Sequence, residues 1–286
     1  MISSILHNRF SFIKKSGFLI LALGILLSAS SCKKEDLDPL EYPTTSLEIK
    51  EIVLRLDNIY WQSNRIFWTE TLGFELISQT ALSYTIQVGD SRLTFRPKNT
   101  TNSPTYSFSI SIPQNQVENA LAWLKNENGE FADGPTQPIT IIRDELTGAE
   151  IINKPLYNAN SVFFRDAAGN VIELIARNDI ENSVEGPFNR SQFLKISEAP
   201  VVTKQVRDCE EILDSEFGAK AFPRTTSGYR PVGGAEGVLL LIIPGRPWIP
   251  TETDLATQYD IEIIVKHPEE KEFLLPSSMA TIRTEP

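Results

Sequence analysis

The sequence predicts an α+β fold made of repeated units, each running strand, helix and then several strands. Two observations carry that expectation. The segment 161–177, SVFFRDAAGNVIELIAR, reads as two apolar strands closed by a tight turn, because Gly169 and Asn170 tolerate positive φ between two apolar runs. The order strand, helix, strands then recurs along the chain. Glu173 sits inside the second apolar run of that hairpin. A carboxylate on a largely buried strand must find a proton, a partner or a metal, since burying it bare costs several kcal/mol.

Residues 1–31 read as a secretory signal peptide rather than as part of the fold. Arg9, Lys14 and Lys15 precede the apolar stretch GFLILALGILL at 17–27, and small residues follow at 28–31. Cys32 comes directly after them, an arrangement that resembles the lipobox of bacterial lipoproteins. That resemblance implies acylation of Cys32, a membrane partner through the lipid anchor, and a place in the cell envelope. Lys33-Lys34-Glu35-Asp36 resembles the signal that sends some lipoproteins to the outer face of the outer membrane. Residues 32–46 are polar, carry Pro39 and Pro43, and read as a tether.

The charge balance narrows the partners. The whole chain carries −10; from Cys32 onward 24 basic residues face 37 acidic ones, which gives −13. Nucleic acid and anionic lipid surfaces both need a basic face, so neither is expected. Cys209 is the only cysteine besides Cys32, so no disulfide within the folded part is expected. Its neighbours in Arg-Asp-Cys-Glu-Glu raise a thiol pKa and argue against a nucleophile. Stability must come from packing, for which a chain of about 240 residues suffices.

Unit one begins with a strand at 51–57, continues with a helix over 64–72 stopped by Gly73, and follows with short strands at 74–79, 83–88 and 92–96. Unit two opens at 106–113, where Phe108, Ile110 and Ile112 alternate with serines. An amphipathic helix over 114–126, a strand at 139–143 and the 161–177 hairpin complete it. A polar linker at 179–190 leads to a third unit at 191–268. It comprises a strand at 193–197, a helix at 204–217 ended by Gly218, and strands near 220–224, 237–243 and 261–266. Gly233, Gly234 and Gly237 read as a turn between strands. Arg246 and Trp248, in the turn Gly-Arg-Pro-Trp, could clasp an anionic or flat ligand, or stack locally at an interface. An unpaired third unit leaves an open sheet edge, which suggests packing on the first domain or a homodimer. Residues 269–286 are charged, contain proline and read as a poorly ordered tail.

The wording Phe-x-Asp-x-x-Gly-Asn-x-Ile-Glu-Leu of the hairpin resembles the closing hairpin of the glyoxalase, bleomycin-resistance and extradiol-dioxygenase superfamily, the vicinal oxygen chelate proteins. Phe67-Trp68-x3-Leu72-Gly73-Phe74 is similar to that family's helix end. The resemblance covers 48–178. It implies that the two βαβββ units of a 47–178 domain wrap into one cupped mixed sheet, with the third βαβββ-like unit added. It also implies metal-ligand positions at Glu51, near Tyr106 and Ser107, and at Glu173.

Histidine count then separates fold from chemistry. The only two histidines are His7, in the leader, and His267, at the end of the third unit. A site of two imidazoles and one carboxylate cannot be built from them. If Glu51 and Glu173 face one another, they share a proton and act as acid and base, or hold a divalent cation through oxygen ligands. The competing reading pairs Glu51 with a nearby Lys or Arg and satisfies Glu173 by hydrogen bonds from its neighbours. The expected function is small-molecule binding in the cup, with Tyr106, Ser107, Arg246 and Trp248 as ligand contacts. The alternative is an enzyme of the lyase, isomerase or ring-opening kind with Glu173 as its acid or base, and a divalent cation is the only cofactor either reading suggests.

Overall fold

Alternating apolar residues decide how the strands stack. In the computed structural model, residues 47–98, 104–222 and 225–286 are described; the expected signal peptide, the expected acylation site Cys32 and the expected tether lie outside them. In β1 (Ile49–Asp57), Ile52, Leu54 and Leu56 are buried, while Glu51 and Arg55 turn to the other face. β2 (Leu76–Gln79), β3 (Tyr84–Val88) and β4 (Ser91–Lys98) form a meander beside it, with β4 parallel to β1. A short helix, α1 (Trp61–Ile66), continues as a wider π-helical turn over Phe67–Thr71 and stops at Gly73, whose φ is +73°.

Unit two follows the same plan. β5 (Ser107–Ile112) leads to α2 (Val117–Lys125), then to β6 (Ile141–Ile142), β7 (Ile152–Lys154), β8 (Ala159–Arg165) and β9 (Val171–Arg177). β5 and β9 are parallel neighbours, and β8 pairs with β9 as the expected hairpin. The hairpin motif explains itself at the atomic level. Asp166 accepts hydrogen bonds from the backbone N–H of Ala168 and Asn170 at 3.0 and 2.9 Å, Gly169 takes φ +88°, and Asn170 Oδ1 accepts from Tyr106 N at 2.9 Å. The turn thereby ties the hairpin to the start of β5.

The later elements are β10 (Lys195–Val202), α3 (Val206–Phe217), β11 (Tyr229–Gly234), β12 (Gly237–Ile242), β13 (Ile261–Lys266), β14 (Glu272–Leu274) and β15 (Ala280–Glu285). They change the expected pairing. Units one and two do not share a sheet. The first sheet runs β14-β15-β13-β1-β4-β3-β2 and the second β11-β12-β10-β5-β9-β8-β6, with β7 added on β8. The free edge of β1 is filled by β13 and that of β5 by β10, both antiparallel. The third unit is therefore divided between the sheets, and the edge on which a homodimer was expected is closed from within the chain.

The tail is also corrected. Residues 269–286 are ordered as β14 and β15, because Ala280, Ile282 and Thr284 alternate inward while Thr281, Arg283 and Glu285 face out. Of the expected strand at 220–224, residues 223 and 224 lie outside the described residues and Ala221 forms an isolated bridge; the strand is β11, where Pro231 is tolerated because β11 is the sheet edge.

One core joins the two sheets. The fully buried Trp68 ring lies 6.4 Å from Phe95 of the first sheet and 6.4 Å from Phe108 of the second, with Phe74 at 5.6 Å. Ser91 at the start of β4 donates to Ile49 O at 2.7 Å and accepts from Ile196 N at 3.1 Å, which links β1, β4 and β10. Gly89 sits beside that junction with φ +54°, and a Cβ there would lie 1.9 Å from Leu194 O. Gly89→Ala is therefore expected to cost about 2–4 kcal/mol, from the left-handed backbone and the backbone clash together. Urea unfolding checks this, and a loss below about 1 kcal/mol would mean the junction yields freely.

Candidate functional site

The face of the second sheet that turns away from the core holds a buried cluster of charges. Strand alternation puts Ser109 of β5, Ser161 of β8 and Glu173 of β9 on this face, and Glu198 of β10 joins them because a bulge after Ile196 shifts its register. Glu173 is 4% exposed and Glu198 fully buried. Glu173 Oε1 accepts from Lys154 Nζ at 2.7 Å and from Ser161 Oγ at 2.5 Å; its Oε2 accepts from Ser109 Oγ at 2.5 Å. Ser109 Oγ also lies 3.0 Å from Glu198 Oε2, so its single proton serves one carboxylate at a time. Arg177, at the end of β9, closes an ion pair with Glu198. Two carboxylates and two cations thus balance each other out of water.

The cations share an aromatic floor. Lys154 Nζ lies 4.6 Å and the Arg177 guanidinium 5.1 Å from the centre of the Tyr157 ring. The Tyr157 and Tyr229 hydroxyls meet at 2.7 Å. Burial pushes the Tyr229 phenol up to about 12 and that of Tyr157 well above its ordinary value, so both stay protonated. Burial by itself drives the Lys154 ammonium down, but Glu173 and Glu198 outweigh it and the net direction is upward. Burial likewise pushes Glu173 up, and Lys154 with the two serine hydroxyls brings it below the usual carboxylate range.

These directions set a pH dependence. Glu173, lowered in the fold, contributes stability that is present above its unfolded value of about 4.3 and is lost as pH falls through its folded value. Lys154, raised in the fold, contributes stability that is full below about 10.4 and is lost as pH rises through its folded value. The stability difference between wild type and Glu173→Gln is expected to stay constant from about pH 5 to 10 and to shrink below about pH 4. Denaturation across pH tests this; a difference that grows on acidification contradicts the assignment.

A cleft opens above the cluster. Its walls include Ser107, Phe163, Leu240, Ile242, Tyr229 and the segment Arg246–Ile249, and Lys154, Glu173 and Glu198 lie at its base. Arg246 lies 4.4 Å over the Tyr229 ring, and no carboxylate pairs with it among the described residues. Trp248 is 4% exposed and its buried Nε1 has no hydrogen-bond partner among the described residues. The free volume is about 30 Å³, room for one or two waters.

The cleft gathers Ser107, Glu173, Arg246 and Trp248, four of the residues singled out from sequence, from units two and three. Tyr106 is not among them. Its hydroxyl donates to Asp260 O at 2.7 Å and accepts from Arg55 N at 3.2 Å, so it braces the first sheet against the second, beside a smaller crevice with Tyr259 and Trp248. Glu51 is elsewhere too. It lies on the first sheet, accepts from Arg92 Nε at 2.8 Å and Thr94 Oγ1 at 2.6 Å, and belongs to a ladder that continues through Arg92 to Glu285. The expected pairing of Glu51 with Glu173 is corrected: β1 and β9 belong to different sheets.

The remaining cluster residues, Lys154, Glu198, Ser109, Ser161 and Arg177, were not singled out from sequence. Glu198 carries the same signal as Glu173, an acid inside an apolar run, but Pro200 disguised its strand. A metal does not fit this donor set. Both Glu173 oxygens are engaged, Glu198 is bound by Arg177, an ammonium lies between the acids, and no group of three His, Cys, Asp or Glu side chains converges among the described residues.

No protein-family model matches the chain, and no curated protein matches it in sequence. Solved structures do resemble it. A Bacillus subtilis protein provisionally designated a dioxygenase superposes with TM-score 0.52 and 14% identity, over 85% of this chain and 86% of the other. Glyoxalase I from Zea mays aligns with TM-score 0.46 and 12% identity, over 84% and 92%. At these identities the likeness concerns the fold, in which units of one strand, one helix and several strands build mixed sheets that do not close into barrels.

Proposed function

We propose that this chain, whose fold is that of the vicinal oxygen chelate superfamily, is an envelope lipoprotein that binds a small anionic molecule in the cleft of its second sheet. The observation that carries the reading is a pair of side-chain donors for which the described residues supply no acceptor. Arg246 and the indole N–H of Trp248 lie beside apolar walls formed by Phe163, Leu240 and Ile242. The buried indole N–H of Trp248 left unpaired costs about 1–3 kcal/mol, and the half-buried Arg246 adds a positive charge beside it, so a carboxylate or similar group supplied by a ligand can satisfy both. The charges beneath are mutually neutralised and leave Arg246 as the net attraction. Since the cleft holds only about 30 Å³, anything larger than one or two waters enters when the 246–249 segment shifts outward.

Glu173 supports binding over acid–base catalysis. Its oxygens are saturated by Lys154, Ser161 and Ser109, and a carboxylate held below its usual range is a weak base and carries no proton to donate near neutrality.

Thermal-shift and NMR titrations with small aromatic and branched aliphatic carboxylates test the cleft, with the corresponding amides as controls. Carboxylates are expected to bind at least tenfold more tightly than their amides, and Arg246→Ala to remove that preference. Equal binding of both sets sinks the anionic reading; binding of neither sinks the cleft as a ligand site. Anchoring is checked separately by palmitate labelling of the full chain, which Cys32→Ser is expected to abolish, and by protease accessibility on intact cells.

A further inference from the structure

We propose that Lys154 is a built-in cation: its ammonium fills, between Glu173 and Glu198, the position a divalent ion would otherwise take, and removing it turns the cleft into a metal site. The sheet order β10-β5-β9 places Glu198, Ser109 and Glu173 on three neighbouring strands and on one face. Their oxygens converge: Ser109 Oγ is 2.5 Å from one carboxylate and 3.0 Å from the other. Such a set of hard oxygen donors suits Mn²⁺, Mg²⁺ or Ca²⁺. Lys154 Nζ sits among them, 2.7 Å from Glu173 and 3.9 Å from Glu198.

The way the ammonium arrives supports this reading. Lys154 is the last residue of β7, a three-residue strand that pairs only with β8 and lies off the main path of the sheet. The donors belong to the framework, whereas the cation is delivered by the end of an appended element, just before Pro155. With Lys154 in place the cluster is neutral; without it two buried carboxylates face Arg177 alone and the cluster carries −1, which attracts a cation. A divalent ion takes it to +1, and ionisation of one water ligand restores neutrality.

The inference does not depend on the anionic ligand, because its test reads metal and not ligand. Lys154→Ala and wild type are titrated with Mn²⁺ alone, following bound Mn²⁺ by electron paramagnetic resonance and the shift in melting temperature. Wild type is expected to take up no stoichiometric Mn²⁺; Lys154→Ala is expected to take up one per chain and to melt higher in its presence. The double variant Lys154→Ala/Glu173→Gln restores neutrality without a cation, and is expected to fold in metal-free buffer and to bind at least tenfold more weakly than Lys154→Ala. If Lys154→Ala folds only when Mn²⁺ is supplied, the proposal is supported. A folded Lys154→Ala without Mn²⁺ uptake overturns it. So does stoichiometric Mn²⁺ in wild type, or failure of Lys154→Ala to fold with Mn²⁺ while the double variant folds.

Discussion

Replacing Glu198 with alanine is expected to destabilise the protein by about 3–5 kcal/mol, the cost of stranding one partner of a buried ion pair. Glu198 is fully buried, and Arg177, 2% exposed, pairs with it through one nitrogen; Arg177 Nε and Nη1 have no other partner among the described residues. Without Glu198 that guanidinium keeps only the face of Tyr157. The companion experiment replaces both partners by apolar residues, Arg177→Met with Glu198→Leu. A buried pair exchanged for packing of similar volume is often neutral or stabilising, so the double variant is expected to regain most of the loss. Chemical denaturation measures both. A loss under about 1 kcal/mol for Glu198→Ala would mean that water reaches Arg177 and replaces its partner.

Trp68→Ala is expected to cost a similar amount, about 3–5 kcal/mol, for a different reason. Its ring contacts Phe67, Phe74, Phe95 and Phe108, and so spans both sheets. Truncation leaves a cavity where the sheets meet and where rigid strands cannot collapse inward. Trp61, half-buried against the edge of Tyr84 at 4.9 Å, serves as the comparison; Trp61→Ala is expected to cost about half as much or less. Equal losses for the two variants would show that the junction relaxes around the missing ring.

Local chemistry was legible where a residue's neighbours in sequence are also its neighbours in space. The 161–177 hairpin is the clearest case, since Asp166, Gly169 and Asn170 satisfy one another within a few residues. Gly73 and Gly218 likewise mark helix ends, both with positive φ. Strand pairing was not legible, because the edges of β1 and β5 accept any partner of suitable pattern. The site inherited that ambiguity: Glu173 was visible as an acid in an apolar strand, but which acid faced it depended on the pairing. The answer is Glu198 on β10 and not Glu51 on β1. Lys154 was hidden differently. Ile152–Lys154 is too short to show periodicity and runs into Pro155, so nothing local announced a buried ammonium.

The closure of β1 by β13 has a consequence for how the molecule is made. Ile49 pairs with Val265 across nearly the whole described chain, and β15 and β14 beyond it extend the sheet. Contacts so distant in sequence carry a large loop-closure entropy and slow the folding search. The first sheet cannot be finished until β13 has been made, and until then β1 presents a bare edge. This makes β13, rather than the hairpin at 161–177, the latch of the first sheet.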